Sequence, residues 1–144
     1  MGYQHTQNGY VILIAQIGIS LLYIVILTQT GLNVLVLFVM VLIIFLLASF
    51  GTLQVIIDEN FLHIKFGYGI FRTKFPLNEI ASAKKVRNRW YYGWGIRVWF
   101  WPYMWIYNVS GFDAVEIIMK SGKRYRIGTD QPEELEHAIL QSIQ

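Results

Sequence analysis

The chain contains no cysteine among its 144 residues, and charged side chains are missing from its first 57 residues. The lack of cysteine excludes disulfide bridges and thiolate metal sites, and it fits a reducing compartment. All twelve Lys and Arg residues and all nine Asp and Glu residues occur from Asp58 onward. The sequence therefore divides into an uncharged N-terminal part and a charged remainder that is long enough for about one domain.

The uncharged part contains two apolar stretches, residues 11–28 and 34–50, which are separated by the polar residues 29–33. Eighteen helical residues extend about 27 Å, close to the thickness of a bilayer hydrocarbon core. Because so few residues join the two stretches, the helices must be antiparallel neighbours. The pattern predicts a transmembrane helical hairpin over residues 11–50 after an N-terminal tail of residues 1–10. A signal peptide is disfavoured, since the first ten residues carry no Lys or Arg and the apolar stretch is too long.

The distribution of basic residues predicts the orientation in the membrane. No Lys or Arg precedes the two apolar stretches and twelve follow them, and basic residues are retained on the cytoplasmic side. We therefore expect a multi-pass protein of the inner cell membrane with both termini in the cytoplasm. The nearest basic residue after the second stretch is Lys65, so this bias is strong in number but weak in proximity along the sequence.

Two polar residues, Gln16 and Ser20, lie four positions apart on one face of the first predicted helix. They fit either a contact with a partner helix or bonds to their own backbone and to the second helix. No Asp, Glu, Lys, Arg or His lies inside either apolar stretch, which disfavours a transporter or pump.

The remainder, residues 51–144, has the short alternating runs of a β-rich cytoplasmic domain. Asp130, with Glu133 three positions later and Pro132 in the first turn, predicts the start of a C-terminal helix. About seven strands and one capping helix suggest an α+β fold with a small, partly open antiparallel barrel or sandwich. The strands outside the aromatic segment are predicted at residues 53–58, 61–66, 71–75, 80–86, 114–119 and 124–127.

Three segments resemble the bacterial pleckstrin-homology-like (PH-like) family: GWGIR at residues 93–97, YNVSGFDAVEI at 107–117 and GKRYRIGTDQPEEL at 122–135. The resemblance covers about residues 51–143. It implies a PH-like domain, and members often carry such a domain after one or two transmembrane helices. The family implies a fold but no particular ligand or activity.

The sequence contains no arrangement of residues typical of catalysis or metal binding. Its histidines, His5, His63 and His137, are isolated from one another in sequence, and Ser110 has no histidine near it. Phosphate-binding and metal-binding spacings are absent, and a net charge of +3 is too small to indicate nucleic-acid binding. We therefore predict a non-catalytic protein without a cofactor, and no small-molecule substrate is identified.

The aromatic segment, residues 89–107, is the strongest local signal in the sequence. Ten of its nineteen residues are aromatic, and it contains all five tryptophans. Some of these rings must fill the core of a small barrel. Tryptophan and tyrosine also suit the boundary between lipid and water, and they are enriched in protein interfaces. We predict that part of this segment is a loop that contacts either the membrane interface or a partner protein, through Trp99, Trp101, Tyr103, Met104 and Trp105.

The densest basic run leads into the aromatic segment. On a strand, Lys85, Arg87 and Arg89 share one face. They fit either a contact with anionic lipid headgroups or a solvated edge strand.

Together these observations predict a membrane-anchored binding or scaffold module, of the kind that serves as an accessory subunit of a larger membrane assembly. The expected partners are membrane lipids and other membrane proteins or a second copy of the chain. The alternative is a PH-like module that senses lipid headgroups at the inner leaflet.

Overall fold

The computed structural model describes residues 2–100 and 103–144 and has an α+β fold. Two apolar helices lie near the N-terminus, two β-sheets follow, and a third helix ends the chain. The helices are α1 (Tyr10–Thr30), α2 (Val34–Ala48) and α3 (Pro132–Ser142). The strands are β1 (Tyr3–Asn8), β2 (Thr52–Ile57), β3 (Phe61–Phe66), β4 (Phe71–Pro76), β5 (Ile80–Arg87), β6 (Gly95–Phe100), β7 (Tyr103–Asn108), β8 (Asp113–Met119) and β9 (Arg124–Gly128).

The helices α1 and α2 are inserted between two strands that pair with each other. β1 runs antiparallel to β2, and the last pair of this ladder, Asn8 with Thr52, lies where the helices begin and end. The Gly9 N–H also donates to the Gly51 carbonyl at 2.7 Å. The prediction of a free tail over residues 1–10 is therefore wrong for residues 3–8, because β1 satisfies the backbone hydrogen bonds along the open edge of β2.

The helical hairpin formed by α1 and α2 projects away from the sheets, and neither helix contains a buried residue. One helix, α1, is long and apolar enough to cross a membrane, whereas α2 has only 15 residues. The Gln16 side-chain amide donates to the Ile44 carbonyl at 3.2 Å, and the Ser20 hydroxyl donates to the Gln16 carbonyl at 2.8 Å. These polar side chains thus bond within the helical hairpin, as the second of the two sequence interpretations expected.

The two sheets differ in strand direction. The first has the order β1-β2-β3-β4 and is antiparallel throughout, whereas the second has the order β5-β8-β9-β7-β6 and contains one parallel pair, β7 with β9. β8 pairs with β5 along one edge, and one strand position separates its other edge from β7. β9 lies in this space. It runs antiparallel to β8 and parallel to β7. The expected antiparallel arrangement is therefore wrong for the β7–β9 pair of the second sheet, and the barrel, which was expected to be partly open, is not closed.

The main core lies between the inner faces of the two sheets, and α3 covers one side of it. Leu62, Ile64, Ile117 and Ile127 are fully buried there, together with Leu135 and Ile139 of α3. We call the two sheets and α3 the β-domain.

The start of α3 differs from the prediction, in which Asp130 would be the N-cap residue and Glu133 would complete a capping box. Gln131, not Asp130, is the N-cap residue, and no side chain caps the helix. The Asp130 carboxylate instead accepts a short bond from His5 Nε2 of β1, at 2.5 Å. The capping-box prediction is wrong because the Asp130 carboxylate bonds to His5 instead. His5 lies on β1, a strand that was not predicted from the sequence.

Candidate functional site

The aromatic segment folds into a β-hairpin rather than the predicted loop. β6 and β7 pair from Gly95 with Asn108 to Phe100 with Tyr103, and the connecting residues Trp101 and Pro102 lie outside the described residues. The Asn108 end is close to the helices, because the Gln7 amide of β1 donates to the Ser110 carbonyl at 3.1 Å. We call this the helix end of the β-domain. Five strand steps place the Phe100–Tyr103 pair roughly 17 Å away, at what we call the far end.

This placement changes the interpretation of the predicted aromatic site. Tyr103 lies at the far end, and Trp99 and Trp105 lie one and two ladder positions from it. A contact with a partner protein therefore fits these residues better than a contact with the lipid in which the helices would lie. Trp101 lies outside the described residues, so its predicted role is not addressed by the geometry.

Met104 is not a surface residue. Its side chain is 0 % exposed and packs with Ile106 and Tyr92 on the outer face of the second sheet. Trp99 covers this small cluster, with its ring 5.0 Å from that of Tyr92. The prediction of a lipid or partner contact through Met104 is wrong, because alternate residues of β7 face opposite sides and a 3₁₀ turn at Trp90–Tyr92 covers the outer side.

The inner face of β7 carries a row of three aromatic residues. Tyr103 is 55 % exposed, Trp105 is half-buried and Tyr107 is 7 % exposed, so the row runs from the far end into the core. Tyr125 of β9 lies beside Trp105 in the parallel ladder. The inner face of the sheet therefore opens toward the far end as an aromatic surface.

These residues form the floor of a groove of about 670 Å³, a volume typical of ligand sites. On one side the groove is lined by four consecutive residues of β4, 73–76, whose side chains alternate between two faces. The groove must therefore run along the edge of β4, which pairs only with β3 in the described chain. We call this the far-end groove. The charged residues lining it are Lys74, Glu79, Lys123 and Arg124.

The inner end of the far-end groove is closed by stacked rings. The Phe75 ring lies 4.6 Å from the Tyr125 ring, and the Tyr107 ring stacks on Tyr125 at 6.4 Å. Burial raises the pKa of Tyr107 to about 12, and the nearby Tyr125 adds to this shift. The Tyr107 hydroxyl therefore keeps its proton near neutral pH, where it suits hydrogen bonding rather than acting as a base.

The three predicted basic residues do not form one strip. Lys85 Nζ donates to Glu133 Oε1 at 2.8 Å, and its backbone N–H donates to the Glu136 carboxylate. The bond to Glu133 raises the pKa of Lys85 and lowers that of Glu133. Lys85 therefore links β5 to α3. Because its ammonium group already bonds to Glu133, Lys85 is less suited to contact a lipid headgroup.

The other two predicted basic residues lie over aromatic rings. The Arg87 guanidinium is 5.8 Å from the Phe112 ring at the helix end, and the Arg89 guanidinium is 5.9 Å from the Tyr91 ring. Arg89 lies beyond the end of β5, which terminates at Arg87. Both remain predicted headgroup contacts.

Sequence reasoning missed a group of residues at the helix end. Lys65 of β3 lies directly opposite Arg72 of β4, and the turn between them carries the exposed residues Tyr68 and Ile70. The Tyr68 ring stacks on Phe45 of α2 at 5.9 Å. Only the strand register places this turn beside the helices.

The polar groups of the described chain form no recognisable catalytic or metal site. Residues 2–100 and 103–144 contain no group of three His, Cys, Asp or Glu side chains able to hold a metal ion. His63 Nε2 of β3 lies 2.6 Å from Oδ2 of Asp58, which is in the turn before that strand. Ser110 lies in a turn where Asn108 Oδ1 accepts from its backbone N–H at 3.3 Å. These contacts fix turns and strand ends.

The chain matches no protein-family model, and no curated protein is found to be similar to it. The PH-like resemblance therefore stays a prediction, and function must be argued from the geometry alone.

Proposed function

We propose that this chain is a non-catalytic, membrane-anchored binding module and an accessory subunit of a larger membrane assembly. Its helical hairpin crosses the bilayer twice, and its β-domain, of PH-like type, lies on the cytoplasmic side of the inner membrane. The far-end groove is the surface that binds a partner protein.

The insertion of the helical hairpin between β1 and β2 is the observation that carries this proposal. Paired strands hold the start of α1 and the end of α2 together, so both helix ends must lie on the same side of a membrane. The exposed faces of both helices are almost wholly apolar, which suits lipid and not water. α2 alone extends about 22 Å, and the flanking residues Leu32 and Phe50 lengthen the apolar stretch toward hydrocarbon thickness.

The spatial distribution of basic residues supports the cytoplasmic orientation. Lys65, the first basic residue in the sequence, pairs with β2 only one ladder position inside the helix end. Arg72 and Arg87 lie at the same end, although they come later in the chain. These three basic residues therefore lie close to the helix ends in space, which supports the cytoplasmic orientation under the positive-inside rule.

Two features of the far-end groove favour an extended protein segment as its occupant. The unpaired edge of β4 offers backbone donors and acceptors for an added strand. The three basic residues at its margin outnumber the single acidic one, which suits a segment that carries both carboxylates and apolar side chains.

Single-cysteine labelling tests the topology, because the natural chain has no cysteine to remove. Thr30→Cys, next to the turn between the helices, should react with a membrane-impermeant maleimide on intact cells. Ser121→Cys, at the far end, should react only after the cells are opened. Labelling of Ser121→Cys on intact cells, or of both positions only in opened cells, would contradict a hairpin that crosses twice with its domain inside.

A matched pair of variants tests the partner site. Tyr103→Ala removes an exposed ring from the groove, whereas Phe100→Ala removes an exposed ring from the paired position on β6, outside the groove lining. Native mass measurement after mild detergent extraction should show a hetero-complex with wild type and Phe100→Ala, and a reduced fraction of it with Tyr103→Ala. A lone protomer for the wild type, or equal loss in both variants, would contradict binding through the groove.

A further inference from the structure

We propose that the helix end of the β-domain is a docking surface for anionic phospholipid headgroups of the membrane in which the helices lie. The surface consists of Lys65, Arg72, Arg87 and Arg97 together with the exposed turn residues Tyr68 and Ile70. We call it the basic rim. It differs from the set first predicted, because it includes Lys65, Arg72 and Arg97 and excludes Lys85 and Arg89. The inference rests on the proposed membrane anchoring.

Charge is distributed unevenly along the strands of the β-domain. The three strand residues nearest the helix end include six basic side chains but one acidic side chain, Asp113. Two of the six form salt bridges within the domain, Lys85 with Glu133 and Arg126 with Glu116. The described salt bridges include none of the remaining four, which are the basic members of the rim.

One pair in the rim is unfavourable for the fold by itself. Lys65 and Arg72 lie directly opposite each other on antiparallel strands, and both side chains are exposed. Like charges in such cross-strand positions destabilise a sheet. A lipid phosphate bound between them would remove this repulsion, so the pair suits an anionic partner better than it suits water.

The aromatic and apolar residues of the rim lie at the level expected for a membrane interface. Tyr68 extends from the β3–β4 turn onto Phe45 of α2, so its ring lies beside the last turn of a helix that enters lipid. Ile70, in the same turn, is 56 % exposed. Apolar side chains next to Lys and Arg are typical of segments that insert shallowly into the headgroup layer.

Arg87 and Arg97 extend the rim on the second sheet. The Trp94 indole donates to the Gly111 carbonyl at 3.1 Å, and its ring lies 6.0 Å from Phe112, over which Arg87 is placed. Arg97 Nε donates to the Trp94 carbonyl at 3.0 Å, which turns the guanidinium back toward the helix end. Both sheets therefore present positive charge around the base of the helical hairpin.

The full-length chain in vesicles provides the test. An environment-sensitive fluorophore on Ile70→Cys reports contact of the turn with lipid, through quenching by headgroup-labelled lipid. Quenching should be stronger in phosphatidylcholine vesicles that contain phosphatidylglycerol than in pure phosphatidylcholine, and added salt should reduce the difference. Each basic residue near an anionic surface should shift the docking equilibrium about fivefold, hence roughly 25-fold for two residues.

Two double variants with the same change of charge distinguish an effect of the basic rim from an effect of the overall net charge. Lys65→Gln with Arg72→Gln should abolish most of the dependence on phosphatidylglycerol, whereas Lys120→Gln with Lys123→Gln, at the far end, should retain it. Equal loss in both would show that net charge acts and would overturn the rim. Quenching that is independent of phosphatidylglycerol in the unsubstituted background would also overturn it.

Resistance of the same samples to alkaline extraction reports insertion of the helices separately. An inserted chain without dependence on anionic lipid contradicts only the basic rim. A chain that alkali extracts contradicts the membrane anchor, and the rim is then rejected with it.

Discussion

The helical hairpin and the β-domain use the same apolar residue types in opposite ways. In the hairpin, large side chains such as Leu21 and Phe38 are exposed, and no residue of either helix is buried. In the β-domain, the equivalent side chains of Ile64 and Ile117 are completely buried between two sheets. The β-domain therefore buries its apolar side chains within protein, whereas the described chain leaves those of the helical hairpin largely uncovered, and lipid would accept them under the proposed membrane anchoring.

The same contrast holds for polar groups. The helical hairpin satisfies its few polar side chains internally, as the bond from Gln16 to the Ile44 carbonyl illustrates. The β-domain carries every charged residue of the chain and arranges salt bridges such as Lys85 with Glu133 on its surface. A substitution should therefore have consequences that depend on the region it falls in, more than on the residue type it removes.

The largest expected effect comes from truncating the core of the β-domain. Ile64→Ala should destabilise it by about 2–5 kcal/mol, because a fully buried side chain leaves a cavity. The matched truncation in the helical hairpin, Leu21→Ala, should change the stability of the β-domain by less than about 0.5 kcal/mol.

Denaturant unfolding in detergent, followed by tryptophan fluorescence, measures this difference directly. All five tryptophans lie in residues 90–105, so the signal reports only on the β-domain. An equal loss of unfolding free energy in both variants would contradict the distinction between the two regions, because it would mean that the helices and the sheets share one core.

A smaller effect is expected at the junction of the two regions. Gly67 has a φ of 49°, and an ideal Cβ at this position would lie 2.5 Å from the Ser49 carbonyl oxygen at the end of α2. Gly122, in the far-end turn of β8 and β9, has a φ of 92° but open space around it. Gly122→Ala should cost about 1–2 kcal/mol from backbone strain alone.

Gly67→Ala should cost more than Gly122→Ala, because the added methyl group also meets the backbone of the helical hairpin. The same fluorescence-detected unfolding compares the two. If their losses are equal, the turn at Gly67 does not pack against the end of α2, and the two regions are joined only through β1 and β2.

Much of the fold could be predicted from local patterns. The alternation in FLHIKF places β3 at residues 61–66, as observed, and β2, β4, β5, β8 and β9 lie within one or two residues of their predicted bounds. Such strands can be recognised from sequence because one of their faces must be apolar, which produces an alternating pattern. β1 was missed because its sequence, YQHTQN, is polar, and its structure depends on pairing with β2 rather than on burial of its own side chains.

The candidate surfaces could be predicted only in part, because a surface depends on which end of a strand a residue occupies. The aromatic segment was recognised, but its direction was not, since only the pairing of Gly95 with Asn108 at the helix end places the Phe100–Tyr103 pair away from the helices. Lys65 and Arg72 are seven positions apart in sequence, and only the β3–β4 register brings them together. Met104 was assigned to the surface because its burial on the outer face of the second sheet depends on a covering turn, Trp90–Tyr92, that has no local signal.

The smallest expected effect distinguishes the two regions by pH. Each has one side chain that accepts two backbone N–H bonds: Asn33 accepts from Leu35 and Val36 at the start of α2, and Asp58 accepts from Asn60 and Phe61 in the β2–β3 turn. The bonds from Asn60 and Phe61, followed by the bond to His63, lower the pKa of Asp58 to about 2. A carboxylate with a lowered pKa stabilises the fold above its unfolded pKa, near 4, and this contribution is lost as the pH falls toward 2.

Asp58→Ala should therefore destabilise the β-domain slightly at pH 7, and the difference from wild type should shrink between pH 4 and about pH 2. Asn33→Ala removes a helix cap that carries no charge, so its cost, about 1 kcal/mol for α2, should not change with pH. Thermal unfolding across this pH range, followed by tryptophan fluorescence for the β-domain and by circular dichroism for the helices, measures both. A constant difference for Asp58→Ala would mean that the turn is held by its backbone alone, and the charge would then contribute nothing to the region that contains it.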